Sequence, residues 1–213
     1  MGENFPGLAD RYETWFINNK ELFQSELALL KDMLPNFERG LEIGVGTGIF
    51  AQALGISTGV EPSEEMAIRA EQRGIQVYRG KGEDLCFEDQ SFDLLVMITV
   101  DCFLSDLDKT LREAYRVLIP GGSLVIGYID KSTALGKLYE EKKLHNEFYS
   151  RANFHTGDEI IKALTGTGFE VIKKGQTIFS LKNQVQAAKT GLGEGLFGVV
   201  LGRKQGDELY EHE

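Results

Sequence analysis

The chain is short of the residues that build covalent or metal frameworks, with 2 cysteines and 3 histidines among 213 residues. Cys86 and Cys102 stand in neither a CxxC nor a metal-ligand spacing, and two thiols cannot staple a chain of this length. Both are therefore expected to be reduced and mostly buried, and no metal site is expected. Positive charge is also scarce: 23 Lys and Arg face 33 Asp and Glu, a net charge of -10. Such a surface repels a phosphate backbone, so nucleic acid is a poor partner. Only a patch assembled in space from Lys131, Lys137, Lys142, Lys143 and Arg151 could offset that. Long apolar runs are missing too, and Met1 to Asp10 has neither the basic nor the hydrophobic part of a signal peptide, which points to a cytoplasmic protein with no membrane partner.

What remains fits one domain with a hydrophobic core and at most a small cap. Apolar residues at near-helical spacing (Leu22, Leu27, Leu30 and Leu34) make 8–34 helical, as one helix or as two broken near Asn18-Asn19. Gly40 to Val45 then reads as a short strand running into glycines, with a short helix from Ile49 to Leu54. The unit repeats as a strand at Thr58 to Glu61, a helix from Glu64 to Arg73 capped by Ser63, and a strand at Ile75 to Tyr78. Phe92 to Val100 is apolar throughout, as suits a strand covered on both faces. A helix from about Leu107 to Leu118 ends at Pro120-Gly121-Gly122 and leads into a strand from Ser123 to Ile129. This alternation predicts a doubly wound, mainly parallel α/β sheet.

Past Asp130 the alternation stops. Thr133 to Tyr149 reads as a charged helix, and Thr156 caps another helix that runs to Leu164. Phe169 to Lys173 and Thr177 to Leu181 read as strand or hairpin, and Phe197 to Arg203 as a last strand after the glycine-rich loop Gly191 to Gly195. The whole is a seven-stranded Rossmann-like sheet closed by an antiparallel C-terminal pair. It divides into an N-terminal helical lid (1–36), a main domain (37–204) with a helical insertion at about 131–155, and a polar tail (205–213).

Chemistry is concentrated at Glu42-Ile43-Gly44-Val45-Gly46-Thr47-Gly48. Three glycines at alternate positions deliver bare backbone to the carboxyl edge of the sheet, where open α/β sheets bind ligands. A plain strand-to-helix turn needs one glycine. Dinucleotide sites space theirs as GxGxxG, whereas this turn reads GxGxG.

The shorter form, preceded by Glu42, resembles motif I of the class I S-adenosylmethionine-dependent methyltransferases, and the likeness runs along most of the chain. Glu61, nineteen residues after Glu42, matches the family's acid that accepts hydrogen bonds from the ribose hydroxyls. Pro62, Ser63 and Met66 match its EPS-x-x-M segment, which implies that Pro62 and Met66 lie against adenine. Gly80 to Phe87 resembles the stretch that clasps the adenine, with Lys81 and Cys86 departing from the usual acid and proline; Gly82 and Glu83 are the contacts it implies. Asp89 to Asp93, Leu111 to Leu118 and Pro120-Gly121-Gly122 complete the signature. The resemblance implies S-adenosylmethionine as cofactor, held by Glu42, Gly44, Gly46, Gly48, Glu61, Pro62, Met66, Gly82, Glu83 and Thr99.

Tyr12 to Phe16 and Phe148 to Phe154 resemble segments that cover the cofactor mouth in small-molecule members. Trp15, Phe16, Phe148 and Phe154, taken singly, read first as core residues of amphipathic helices, which leaves Tyr12 and Tyr149 as the site-lining pair. Methyl transfer needs positioning more than a dedicated base. If a base is used, Asp101, just past the fourth strand, is the candidate; its alternative role is a solvated or helix-capping acid in the Ser105-Asp106 loop. His145 and His155 read as surface residues. The expected activity is methylation of a small molecule, with a lean toward an amine from the acidic balance, Asp101, Asp130 and nearby tyrosines. An NAD-type oxidoreductase and a non-catalytic S-adenosylmethionine-binding protein are the alternatives.

Overall fold

The structure is a computed structural model that describes residues 7–146 and 148–206. The tail expected from 205 onward therefore lies outside the described residues from position 207. The helices are α1 (Leu8–Asn18), α2 (Lys20–Met33), α3 (Ile49–Leu54), α4 (Glu64–Gln72), α5 (Leu107–Val117), α6 (Ala134–Lys142) and α7 (Gly157–Thr167). The strands are β1 (Gly40–Ile43), β2 (Thr58–Glu61), β3 (Gln76–Arg79), β4 (Phe92–Ile98), β5 (Leu118–Ile129), β6 (Phe169–Thr177), β7 (Lys189–Thr190) and β8 (Phe197–Lys204). They form one sheet in the order β3-β2-β1-β4-β5-β8-β6-β7. The first five pair in parallel, and β8, β6 and β7 join antiparallel.

The doubly wound sheet and its antiparallel C-terminal strands are as expected, with the two-residue β7 added at the edge. Other details differ. The chain breaks at Asn19, whose side-chain amide donates to the Trp15 carbonyl (2.8 Å), so the N-terminal segment is two helices. β6 runs unbroken to Thr177, and the strand expected over Thr177 to Leu181 stops there because Ile178 takes a left-handed φ of 61°. β5 starts early, at Leu118, and passes through Gly121 (φ 79°) rather than beginning after it. The helix expected over Thr133 to Tyr149 ends at Lys142; a single 3-10 turn, Lys143–His145, follows. Asn146 then halts the chain by accepting from the Phe148 and Tyr149 amides.

Alternate side chains of each strand reach opposite faces. Leu94, Val96 and Ile98 of β4 join a core with Leu22, Leu29, Leu30 and Met33 of α2. Leu95 and Met97 join the opposite core with Leu111, Ala114 and Val117 of α5 and Ile160 and Leu164 of α7. Strand order reverses between β1 and β4, since β2 and β3 lie to one side of β1 while β4 and β5 continue on the other. A crevice therefore opens past their carboxyl ends, at Gly44 and Thr99.

Candidate functional site

β1 turns Leu41 and Ile43 toward the α5 core, which leaves Glu42 pointing to the other face. There it is 2% exposed, and its carboxylate oxygen Oε2 is buried with no partner. Burial pushes this carboxyl well above its usual range, against the Ala51 amide and with the Glu61 charge adding to the rise. An orphaned acceptor of this kind is costly unless a donor arrives.

The three glycines of the turn all have left-handed φ, at 71°, 54° and 79°, yet only one of them faces open space. A Cβ on Gly44 would meet Val100 Cγ2 at 2.3 Å, and one on Gly48 would meet the Ala70 backbone at 3.0 Å. Around a Cβ on Gly46 there is nothing within 4 Å. Gly44 and Gly48 are thus glycines for close packing, and Gly46 keeps a cradle empty. The Gly46 amide donates to Glu61 Oε2 (2.9 Å) and the Ser63 amide to Glu61 Oε1 (2.8 Å), so backbone donors fix the acid at the end of β2 beside the turn. Burial raises the Glu61 carboxyl despite these two amides.

A cavity of about 280 Å³ adjoins this turn; Gly44, Pro62, Gly82, Glu83, Val100 and Ser105 are among its lining residues, as is Lys81. Met66, half-buried on α4, is not among them. Glu83 Oε1 accepts from the Ser105 amide and hydroxyl (both 2.8 Å). Burial opposes its ionisation, but these bonds and those from nearby backbone amides outweigh it and hold the carboxyl below its ordinary value. One oxygen of Glu83 is therefore committed to holding the loop after β4.

At the end of β4, Thr99 takes φ 51°, a strained conformation for a β-branched residue, while its amide donates to the Gly127 carbonyl (2.7 Å). The kink turns Asp101 inward, 2% exposed, with Oδ2 at 2.8 Å from His155 Nδ1 and Oδ1 without a partner. Burial raises the Asp101 carboxyl and the His155 contact opposes the rise. Asp101 is neither solvated nor a helix cap; Asp106 caps α5 instead. His155, expected at the surface, is the partner the sequence reading missed. The cysteines also separate: Cys102 is buried, but Cys86 is exposed.

Above the cradle lie aromatic rings. Tyr12 packs edge-on against Phe16 (4.9 Å) and Phe148 (6.0 Å), and Tyr149 lies against Tyr139 (5.9 Å) and Phe154 (5.3 Å). Burial raises the Tyr12 hydroxyl far above its usual value, followed by the charges of Glu42, Glu26 and Glu61. The Tyr149 hydroxyl is raised by burial as well, with Tyr12 among its electrostatic neighbours. Both tyrosines singled out in the sequence pack, partly buried, against the same core. Arg73 ties α1 down over the turn, donating to Glu13 (2.8 Å) and to the Thr47 carbonyl (3.1 Å).

Of the basic residues that could have formed a patch, Lys131 pairs with Glu159 and Lys143 with Glu140. Among the described residues no group of three or more His, Cys, Asp or Glu is arranged to hold a metal ion, and no helix is long and apolar enough to cross a membrane.

Comparison with known proteins gives a consistent result. A family model described as a methyltransferase domain matches residues 41–126. An uncharacterised protein of Methanocaldococcus jannaschii is 46% identical over 202 residues, covering 94% of this chain and 98% of that one. The crystal structure of an S-adenosylmethionine-dependent methyltransferase of Thermotoga maritima, described as a "possible histamine N-methyltransferase", superimposes with a TM-score of 0.89 at 42% identity. It covers 93% of this chain and 96% of that one. A methyltransferase of Methanosarcina mazei, at 20% identity and a TM-score of 0.64, shares the fold.

Proposed function

The chain belongs to the S-adenosylmethionine-dependent methyltransferases, and from that premise we propose that it methylates the nitrogen of a small amine. The observation that carries this reading is the cradle where the strand order of the sheet reverses: the turn after β1 and the end of β2 bring the open space at Gly46, the unpartnered oxygen of Glu42 and the amide-fixed Glu61 to one edge. These residues fit the cofactor, which carries donors on its ribose and amino groups and a cation at its sulfur. In this reading Glu61 accepts from the ribose hydroxyls, Glu42 Oε2 takes a donor from the amino-acid end, and Gly46 lets the backbone close on the ligand. The cavity bounded by Pro62, Gly82 and Ser105 holds the adenine, with Gly82 presenting backbone and Glu83 keeping the Ser105 loop in place. Gly44, Gly48 and Thr99 shape the turn and the strand end, while Met66 on α4 stands outside the cavity lining and has no contact with the adenine in this reading.

The cofactor supplies a methyl group on a sulfonium, already activated for displacement; the chain supplies position and a dry, polarised cleft. The helices α1 and α2 act as a lid over the mouth, α1 being anchored through Arg73, and α6 with Tyr149 closes the other side. Asp101 orients the His155 ring through the contact at its Nδ1. An amine is favoured over a phenol or an acid because a cation relieves the cost that burial imposes on ionising Glu42, Glu26 and Glu61, the carboxyls that act on Tyr12, and over a nucleic acid because the net charge is -10. The description of the Thermotoga maritima relative as a possible histamine N-methyltransferase points the same way. Incubating the protein with S-adenosylmethionine and separate small amines, phenols, thiols and carboxylates, with S-adenosylhomocysteine release as the readout, tests the reading. Release with amines supports it; release only with another class overturns the acceptor assignment.

A further inference from the structure

α2 buries Leu22, Ser25, Leu29, Leu30 and Met33, and Glu26 stands on that face, one turn after Leu22 and one before Leu30. A carboxylate at such a position is costly unless something compensates it. Among the described residues nothing does: burial alone perturbs Glu26, pushing its carboxyl up to about 8, with no hydrogen bond or cation opposing the rise. The side chain is nevertheless only half-buried, so it stays accessible and is not sealed in the core.

The core beside α2 is rich in aromatic rings. Tyr12, Tyr139 and Tyr149 all pack against the core that α2 enters, and Phe23, one turn before Glu26, continues the ring contacts through Phe16 (5.1 Å) to Tyr12 (4.9 Å). The charge of Glu26 is felt at all three tyrosine hydroxyls. Left with a raised carboxyl, Glu26 is ionised by the arrival of a cation, which then meets both the carboxylate it stabilises and the ring quadrupoles. We propose that Glu26 is the recognition group of the acceptor subsite and selects a small cationic amine held among Tyr12, Tyr139 and Tyr149, a proposal that rests on the methyltransferase reading of the adjoining cradle.

The same carboxylate offers a place for the proton that an ammonium must shed before its lone pair is free. One N–H bond breaks, one carboxyl O–H bond forms, both charges vanish, and the proton passes to water when the product leaves.

The test is calorimetric titration of the full chain, saturated with S-adenosylhomocysteine, using monoamines each paired with the alcohol and the carboxylate of the same carbon skeleton. Amines are expected to bind in preference to their partners. Glu26→Gln, which keeps the volume and removes the charge, is expected to weaken amine binding about tenfold or more while leaving S-adenosylhomocysteine affinity and the circular dichroism spectrum unchanged. Preference for alcohols or carboxylates, no amine binding at all, or equal amine affinity in Glu26→Gln would each overturn the proposal. Failure of the wild type to bind S-adenosylhomocysteine would instead overturn the underlying reading of the cradle, so the two failures are distinguishable.

Discussion

Replacing Gly46 with alanine separates what the turn does for the fold from what it does for the ligand. At φ 54° a Cβ is strained by about 1–2 kcal/mol. It meets no atom within 4 Å, so no clash adds to that strain. In a chain of this size about 2–4 °C of Tm follows each kcal/mol, and the variant is expected to melt about 2–8 °C below wild type and remain folded. Cofactor affinity should fall much further. A methyl group inside the cradle displaces a ligand from the Gly46 backbone, and loss of a close contact flanked by Glu61 and Glu42 is expected to cost about a hundredfold in Kd, or ~2.7 kcal/mol. Gly55→Ala is the matched control: Gly55 ends α3 at φ 76°, with open space around its Cβ, and lies away from the cavity. It should show the same loss of Tm with unchanged affinity for S-adenosylhomocysteine by calorimetry. If Gly46→Ala and Gly55→Ala bind the ligand equally well, the cradle has been placed wrongly.

Three further outcomes are expected. Glu61→Gln should weaken S-adenosylhomocysteine binding at least about tenfold, since an amide cannot accept from two ribose hydroxyls while its own donors crowd the Gly46 and Ser63 amides; calorimetry decides it. Asp101→Asn should slow turnover with cofactor affinity preserved, whereas His155→Ala should lower stability by about 1–3 kcal/mol because Asp101, 2% exposed, loses its side-chain partner; wild-type turnover in the first and wild-type Tm in the second would remove the pair from the mechanism. For Glu26 the sign follows from its raised carboxyl. Stability from the protonated form is complete below the ordinary value of 4.5 and is lost as pH rises toward about 8. Between about pH 5 and about pH 8.5, Glu26→Gln should therefore gain on the wild type, by ~1–2 kcal/mol after allowing for solvent screening. A Tm difference that stays constant with pH would show that burial does not raise the Glu26 carboxyl.

Much of this was legible in the sequence because it rests on local chemistry. Alternating strand and helix signals, with glycine and proline stops, gave the parallel half of the sheet, and the spacing of Gly44, Gly46 and Gly48 pointed to the cofactor edge. The sequence could not assign different tasks to those three glycines, since that depends on Val100 and Ala70, which the fold brings in from β4 and α4. His155 was passed over because its partner, Asp101, is remote in the chain and meets it only after the kink at Thr99. Glu26 did leave a signal, an acid on an apolar helical stripe, but it was hidden by reading Leu22, Leu27, Leu30 and Leu34 as the face of one helix. The buried face is Leu22, Ser25, Leu29, Leu30 and Met33, and that register puts Glu26 inward. The helix expected over Thr133 to Tyr149 failed at Asn146, whose side chain competes with the helix for backbone donors.

The most direct measurement is transfer of an isotopically labelled methyl group from S-adenosylmethionine to an equimolar mixture of a small amine, a phenol, a thiol and a carboxylate, with the products separated and counted. The expected result is label on the amine nitrogen, abolished in Gly46→Ala and strongly reduced in Glu26→Gln. Label on oxygen or sulfur in preference to nitrogen, or transfer to the amine that survives unchanged in both variants, would contradict it.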